Sequence, residues 1–221
     1  MVSDTVLLQG SWYALEQAGR LLYASTAAFD TGDTSTGLAL AMLGREELGR
    51  SLLLRNLADE VLSGKLLSST DVQKRCDNHV KKQKAALLST TLRVTPPGKL
   101  ADAVQAQSVA KWGTLAWREA RNHIESAISA KLKRDPDDRH RKRMRALYVD
   151  LNPDGLTWSR PSNTDRTTAR EDIEDAVNDY ATARDALRDE FILTSFPKMA
   201  AVSLSMNPAP NLVEPRWPAI G

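Results

Sequence analysis

The sequence predicts an all-α protein: a bundle of five to six helices followed by an irregular C-terminal tail. Three observations carry this reading. Apolar residues recur at three- and four-residue steps over long stretches, the period of one helical face. The segments between those stretches are rich in the residues that cap and terminate helices. No internal repeat and no sustained heptad run points instead to a solenoid or a coiled coil.

The first helix is expected over residues 4–30, where Leu8, Trp12, Leu15, Ala18 and Leu22 share a face. Thr31-Gly32-Asp33 ends it, and Thr34 or Ser35 is placed to cap the second helix, residues 35–63. That helix carries leucine on nearly every face, which marks it as central in its bundle. A third helix follows Thr70, with Thr70 and Gln73 at capping-box spacing, and ends before Pro96-Pro97-Gly98. A long helix is expected from Leu100 to about Arg134, carrying Val104, Val109, Trp112, Leu115, Trp117, Ile124, Ile128 and Leu132. Asp135-Pro136 then reads as the start of a new helix, acidic first and basic last, in keeping with the helix dipole. Asn152-Pro153-Asp154-Gly155 signals a turn, and Trp158 and Pro161 an extended connector. A final amphipathic helix is expected over residues 165–191, with Ile173, Val177, Tyr180 and Leu187 in its apolar set. These elements make one domain over residues 1–194, and the tail, 195–221, is proline-rich.

The chain has 221 residues, enough for one sizeable core. Its 30 Lys and Arg nearly balance 28 Asp and Glu, so any nucleic-acid surface must be local. Cys76 is the only cysteine, which excludes an intrachain disulfide and a cysteine zinc site. The N-terminal stretch lacks the basic and apolar regions of a secretory signal, and charges interrupt the most apolar stretch, residues 38–62. A cytoplasmic protein with no membrane span is expected. There is no paired Glu-x-x-His, no His-Glu-x-x-His, no phosphate-binding glycine loop and no Gly-x-Ser-x-Gly, so neither a metal nor another cofactor is expected.

Three places can carry chemistry. Within the most apolar helix, Gly44, Arg45, Glu46, Glu47, Gly49 and Arg50 stand together. Glu47 shares a face with Leu40, Leu43 and Leu54, and a carboxylate among leucines needs a cation or hydrogen-bond donors. It is either a structural ion pair or a carboxylate that orients a base or substrate. Gly44 and Gly49 each forgo roughly 1 kcal/mol of helix propensity, which suggests that something packs closely against them. His79 and Lys82, three residues apart and so facing one way, are candidate partners for Glu47. Between Lys131 and Arg145 lie eight basic residues and three acids. This is either a solvated face or a phosphate-binding one, with Tyr148 available to stack.

The stretches Gln9-Gly-Ser-Trp-Tyr-Ala-Leu-Glu16, Leu38-Ala-Leu-Ala-Met-Leu-Gly-Arg-Glu-Glu-Leu-Gly-Arg50, Asn78-His79-Val-Lys-Lys82 and Arg143-Met-Arg-Ala-Leu-Tyr-Val-Asp150 resemble the AbiV family of abortive-infection proteins, within the HEPN superfamily of helical bundles. The resemblance implies an HEPN-like fold, a role in antiphage defence by growth arrest or blocked translation, and a homodimer. It also implies metal-independent RNA cleavage, for which the superfamily's signature is an arginine followed four to six residues later by a histidine. In the matching segment Arg143 is followed by Tyr148 in the histidine's place; Arg118 and His123 fit the spacing but sit elsewhere. Arg143, Tyr148, His79 and Glu47 are therefore the expected catalytic residues, with Arg145, Lys82, Arg139 and Arg50 binding substrate RNA. A phage-encoded activator protein is a candidate partner. The rival reading is a non-catalytic protein that binds RNA or a phage protein and blocks translation, and a third is a bundle whose polar cluster serves only stability.

Overall fold

The fold is a helical bundle in a computed structural model that describes residues 1–93, 99–111, 114–127, 129–188 and 212–219. α1 (Asp4–Asp30) begins where Ser3, in extended conformation, accepts a hydrogen bond from the Val6 amide. It ends at Gly32, whose φ of +96° suits a residue without Cβ. Asp33, one residue before the expected caps, accepts from Thr36 N at 3.1 Å and starts α2 (Thr34–Leu62). The Thr36 bonds also hold the Asp33 carboxyl below its ordinary range.

The expected third helix is two. Ser68 and Asp71 form a capping box for α3 (Ser69–Cys76), two residues before the expected one. Asp77 closes α3, and Asn78 Oδ1 accepts from Lys81 N to open α4 (His79–Arg93). Asp and Asn adjacent to one another favour local side-chain bonds over continuing a helix. The break places His79 at the first position of a new helix.

The expected long helix is likewise divided, into α5 (Lys99–Val109), α6 (Leu115–Ala127) and the start of α7 (Ser129–Leu147). α7 runs through Pro136, so Asp135-Pro136 does not start a helix. Pro136, eighth in α7, forgoes one backbone hydrogen bond and crowds the preceding turn, at roughly 3 kcal/mol, and α7 still gains its packing on α2 and α4. Trp112, Ile128 and Pro96-Pro97-Gly98 lie outside the described residues. The Asn152–Gly155 turn, with Gly155 at φ +68°, closes a hairpin of two-residue strands, β1 (Asp150–Leu151) and β2 (Trp158–Ser159), antiparallel with Leu151 opposite Trp158. A short 3₁₀ turn at Pro161–Asn163 leads to α8 (Arg166–Arg188), capped by Asp165. Eight α-helices among the described residues replace the expected five or six, and the all-α class holds.

α2 is the central helix. It packs along α1 over most of its length and also meets α3, α4, α7 and α8, while α5 and α6 pack mainly on each other. The core gathers Leu15, Phe29, Met42, Leu48, Ile173 and Tyr180, all essentially inaccessible; each contributes about 1.5–3 kcal/mol of apolar burial. Residues 212–219 lie over the bundle: Tyr180 donates to Val213 O at 2.9 Å, Trp217 Nε1 to Asn178 Oδ1 at 3.1 Å, and Arg216 pairs with Asp30. The tail's residues 195–211 lie outside the described residues. Among the described residues, no helix is long and apolar enough to cross a membrane.

Two of the three glycines of α2, Gly44 and Gly49, sit where other helices touch it. A Cβ on Gly44 would meet Leu22 of α1, at 2.8 Å. A Cβ on Gly49 would stand 1.9 Å from the Lys82 carbonyl oxygen, so α4 lies directly on α2 there. Backbone cannot move aside as a flexible side chain can. Gly49→Ala is therefore expected to lower the urea midpoint by an amount equivalent to about 1–3 kcal/mol, despite alanine's better helix propensity. A midpoint unchanged or raised would show that α4 does not approach α2 so closely.

Candidate active site

Arg45 and Glu46 are adjacent in α2, and both are buried to 1% exposure. Successive helical residues point about 100° apart, so the two reach different neighbours. Arg45 meets α8: its Nε donates to Asp179 Oδ2 at 2.8 Å, and its Nη2 lies 2.8 Å from the same oxygen. Glu46 faces the seam of α4 and α7. There His79 Nδ1 stands 2.5 Å from Glu46 Oε2, and Arg143 Nη1 donates to Oε2 at 3.1 Å while lying 3.0 Å from Oε1. Lys82 Nζ, itself buried, is 3.6 Å from Oε2. Gly49 makes this possible: the close approach of α4 at Lys82 brings Lys82 and His79, three residues apart, onto the carboxylate.

A fifth side chain completes the cluster. Arg143 Nη2 lies 3.2 Å from His140 Nδ1, and the His79 and His140 rings stack with centroids 5.7 Å apart and planes inclined by 26°. The hydrogen-bond inventory of these groups assigns the tautomers. Arginine only donates, so His140 Nδ1 accepts and a neutral His140 carries its proton on Nε2. A carboxylate only accepts, so the short contact to Glu46 puts a proton on His79 Nδ1, and a neutral His79 has Nε2 bare. The Arg143 Nη1 to His79 Nδ1 approach of 3.3 Å is then contact between two donors, secondary to the bonds each makes with Glu46. Two basic side chains, Arg143 and Lys82, face the single acid Glu46. The cluster therefore attracts an anion. Arg143 Nε, buried and without a hydrogen bond among the described residues, is a further donor. His79 opens the cluster to solvent, its side chain 46% exposed.

Of the residues expected from the sequence, Arg143, His79 and Lys82 converge here. Glu47 does not. It pairs with Arg50 at 3.5 Å, and the buried carboxylate at the cluster is its neighbour Glu46. The face that Glu47 shares with Leu40, Leu43 and Leu54 is half-buried; the fully buried side of α2 runs through Leu38, Ala41, Met42, Arg45 and Leu48. Leucine on every face hid which side was innermost. Arg50 follows Glu47 away from the cluster. Tyr148 lies one residue beyond α7, 51% exposed, its hydroxyl without a hydrogen bond among the described residues. Arg145 turns to another cavity, and Arg139 is buried one helical turn before Arg143. Arg118 and His123 are exposed on α6 and line separate cavities. Five residues on a helix place side chains about 140° apart. His140 also fits the signature spacing numerically, after Arg134, but the sequence reads Pro136 as breaking the helix between them; its three-residue step to Arg143 sets those two on one face.

A family model, HEPN_AbiV (AbiV), matches residues 6–182, which span α1 to most of α8 and contain every member of the cluster. The chain belongs to the AbiV family. No curated protein and no solved structure matches it. Membership implies abortive-infection defence against phage for this AbiV-family chain, and the superfamily suggests RNA binding.

Removing one partner of a buried charge cluster leaves the others uncompensated. Glu46→Ala is expected to destabilise the fold by about 3–5 kcal/mol in urea denaturation. Glu47→Ala, whose pair is partly exposed, should cost about 1 kcal/mol or less. Equal losses, or the larger loss at Glu47, would contradict the placement of the two carboxylates.

Proposed function

We propose that this AbiV-family chain is a metal-independent endoribonuclease whose cleavage of RNA blocks translation and arrests the infected cell, acting as a homodimer. The observation that carries the reading is the gathering of two imidazoles, one arginine and one buried carboxylate, with His79 Nδ1 2.5 Å from Glu46 and His140 Nδ1 3.2 Å from Arg143. In neutral His79, whose side chain is partly exposed, the bare Nε2 is a proton acceptor for a ribose 2′-hydroxyl. The deprotonated 2′-oxygen attacks the adjacent phosphorus, and the bond from phosphorus to the 5′-oxygen of the next nucleotide breaks. His79, now an imidazolium held by Glu46, returns its proton to that leaving oxygen. The products are a 2′,3′-cyclic phosphate and a 5′-hydroxyl, with His79 restored. Glu46 plays the part that a buried carboxylate plays beside a catalytic histidine: it fixes the tautomer and stabilises the imidazolium. The Arg143 guanidinium and the Nε2–H of His140 are donors for the charge that builds on the non-bridging oxygens. Lys82 adds positive charge from behind.

This chemistry asks nothing of Tyr148. In an RNA-cleavage assay with EDTA present, His79→Ala and Arg143→Lys are expected to lower the rate by about 100-fold or more. Tyr148→Phe should cleave as the wild type does, and the 3′ ends should carry cyclic phosphate. Defence against phage in cells that is intact in His79→Ala, with no RNA cleaved by the wild type, would overturn the proposal in favour of a non-catalytic inhibitor.

A further inference from the structure

On the α8 side of α7 lies a cavity of about 420 Å³, walled by the end of α7, the hairpin, the 3₁₀ turn and the start of α8. Its floor is apolar, from Leu38 and Ala169, both buried. Five charged side chains line it, and their pairing is uneven. Lys142 Nζ donates to Asp172 at 2.6 Å, which settles both. Asp165 is engaged as the cap of α8, accepting from Thr168 N at 2.7 Å, and its carboxyl is held below its ordinary range by that bond. Arg145 and Arg160 make no ion pair and no side-chain hydrogen bond among the described residues. Both are exposed on the rim. Between them stand neutral groups that donate and accept, among them Asn163 and Ser159.

An apolar floor, amide and hydroxyl edges and two unpaired guanidiniums match one ligand chemistry: a flat heteroaromatic base carrying phosphate. Apolar side chains take the face of the base, the amide and hydroxyl read its edge, and the arginines take phosphate oxygens. The cavity shares α7 with Arg143: Arg145, two residues on, points about 200° away, so a strand reaching from the cavity to the Glu46 cluster passes around α7. We propose that this cavity is a nucleotide subsite for single-stranded RNA, holding one base and its phosphate while a neighbouring linkage lies at His79. The subsite rests on the ribonuclease reading for its purpose but not for its test. Duplex RNA cannot place a base here, because its bases are paired and stacked.

The experiment measures binding apart from cleavage. Fluorescence anisotropy is recorded with a mixed-sequence single-stranded 12-nucleotide RNA and the same sequence as a duplex, using His79→Ala protein so that no substrate is consumed. Adding Arg145→Ala and Arg160→Ala, both exposed and so harmless to folding, is expected to weaken single-strand binding by about tenfold or more. The slope of log affinity against log salt should fall by about 0.7, for the one phosphate that the two arginines neutralise. Asn163→Ala should change which base is preferred beside the cut or in binding. Affinity and salt slope unchanged in the double arginine variant would overturn the subsite, as would duplex binding as tight as single-strand binding. Tight binding of a free nucleoside monophosphate with none of the oligonucleotide would assign the cavity to a free nucleotide and overturn the RNA assignment. If the wild type cleaves no RNA yet the double variant loses single-strand binding, the ribonuclease reading falls and the subsite stands. If the wild type cleaves and the double variant binds unchanged, the reverse holds.

Discussion

Two opposite charges side by side in the innermost helix set the architecture of this protein. Arg45 and Glu46 are both withdrawn from water, and neither is tolerable there unless it is paired. They do not pair with each other. The helical step turns Arg45 toward Asp179 of α8 and Glu46 toward His79, Lys82 and Arg143 of α4 and α7. Each charge recruits a different side of the bundle, so one dipeptide fixes the positions of three helices around α2. Apolar burial supplies most of the driving force for folding, but leucines packed on leucines specify direction weakly. The paired charges add what the leucines lack: a wrong register would leave a buried ion without its partner.

The same arrangement makes the site. A carboxylate that must be satisfied gathers a histidine, a lysine and an arginine from two other helices, and it holds the histidine in one tautomer. Buried and fixed by packing, Glu46 is a more exact support than a surface acid, and His79 at the first position of α4 is the one member that reaches well into solvent. The division of the third predicted helix at Asp77-Asn78 is therefore a functional matter as well as a local one. A continuous helix would carry His79 mid-turn rather than at a free end. Gly49 contributes through absence, since any side chain there would lift α4 and Lys82 off the carboxylate.

Much of this was legible in the sequence. The boundaries of α1 follow from period and caps, and the centrality of α2 follows from leucine on every face. The cost of two glycines and several charges in an apolar helix marked residues 43–50 as unusual, and His79 and Lys82 were paired with that stretch by their spacing. What was not legible was rotational phase. When apolar residues encircle a helix, the pattern no longer says which carboxylate is innermost, and Glu47 is read for Glu46. His140 was hidden for a different reason: it was weighed only as the histidine following Arg134 and set aside because Pro136 reads as a break between the two, so its three-residue step to Arg143, present wherever the helix starts, went unused. Tyr148 was favoured by its place in a motif, yet α7 ends before it. The cavity beside Arg145 depends on α2, through Leu38, meeting the segment that runs from the end of α7 to the start of α8, a contact between distant parts of the chain that no local signal reports.

Buried Glu46 should hold His79 in one fixed tautomer, opposite to that of His140, and nitrogen-15 NMR of the neutral imidazoles reads this out. The expected spectrum shows His79 protonated on Nδ1 and bare on Nε2, His140 protonated on Nε2 and bare on Nδ1, and Glu46→Gln freeing His79 to populate both forms. Two histidines that both show the Nε2–H form preferred in water, unaffected by Glu46→Gln, would contradict it.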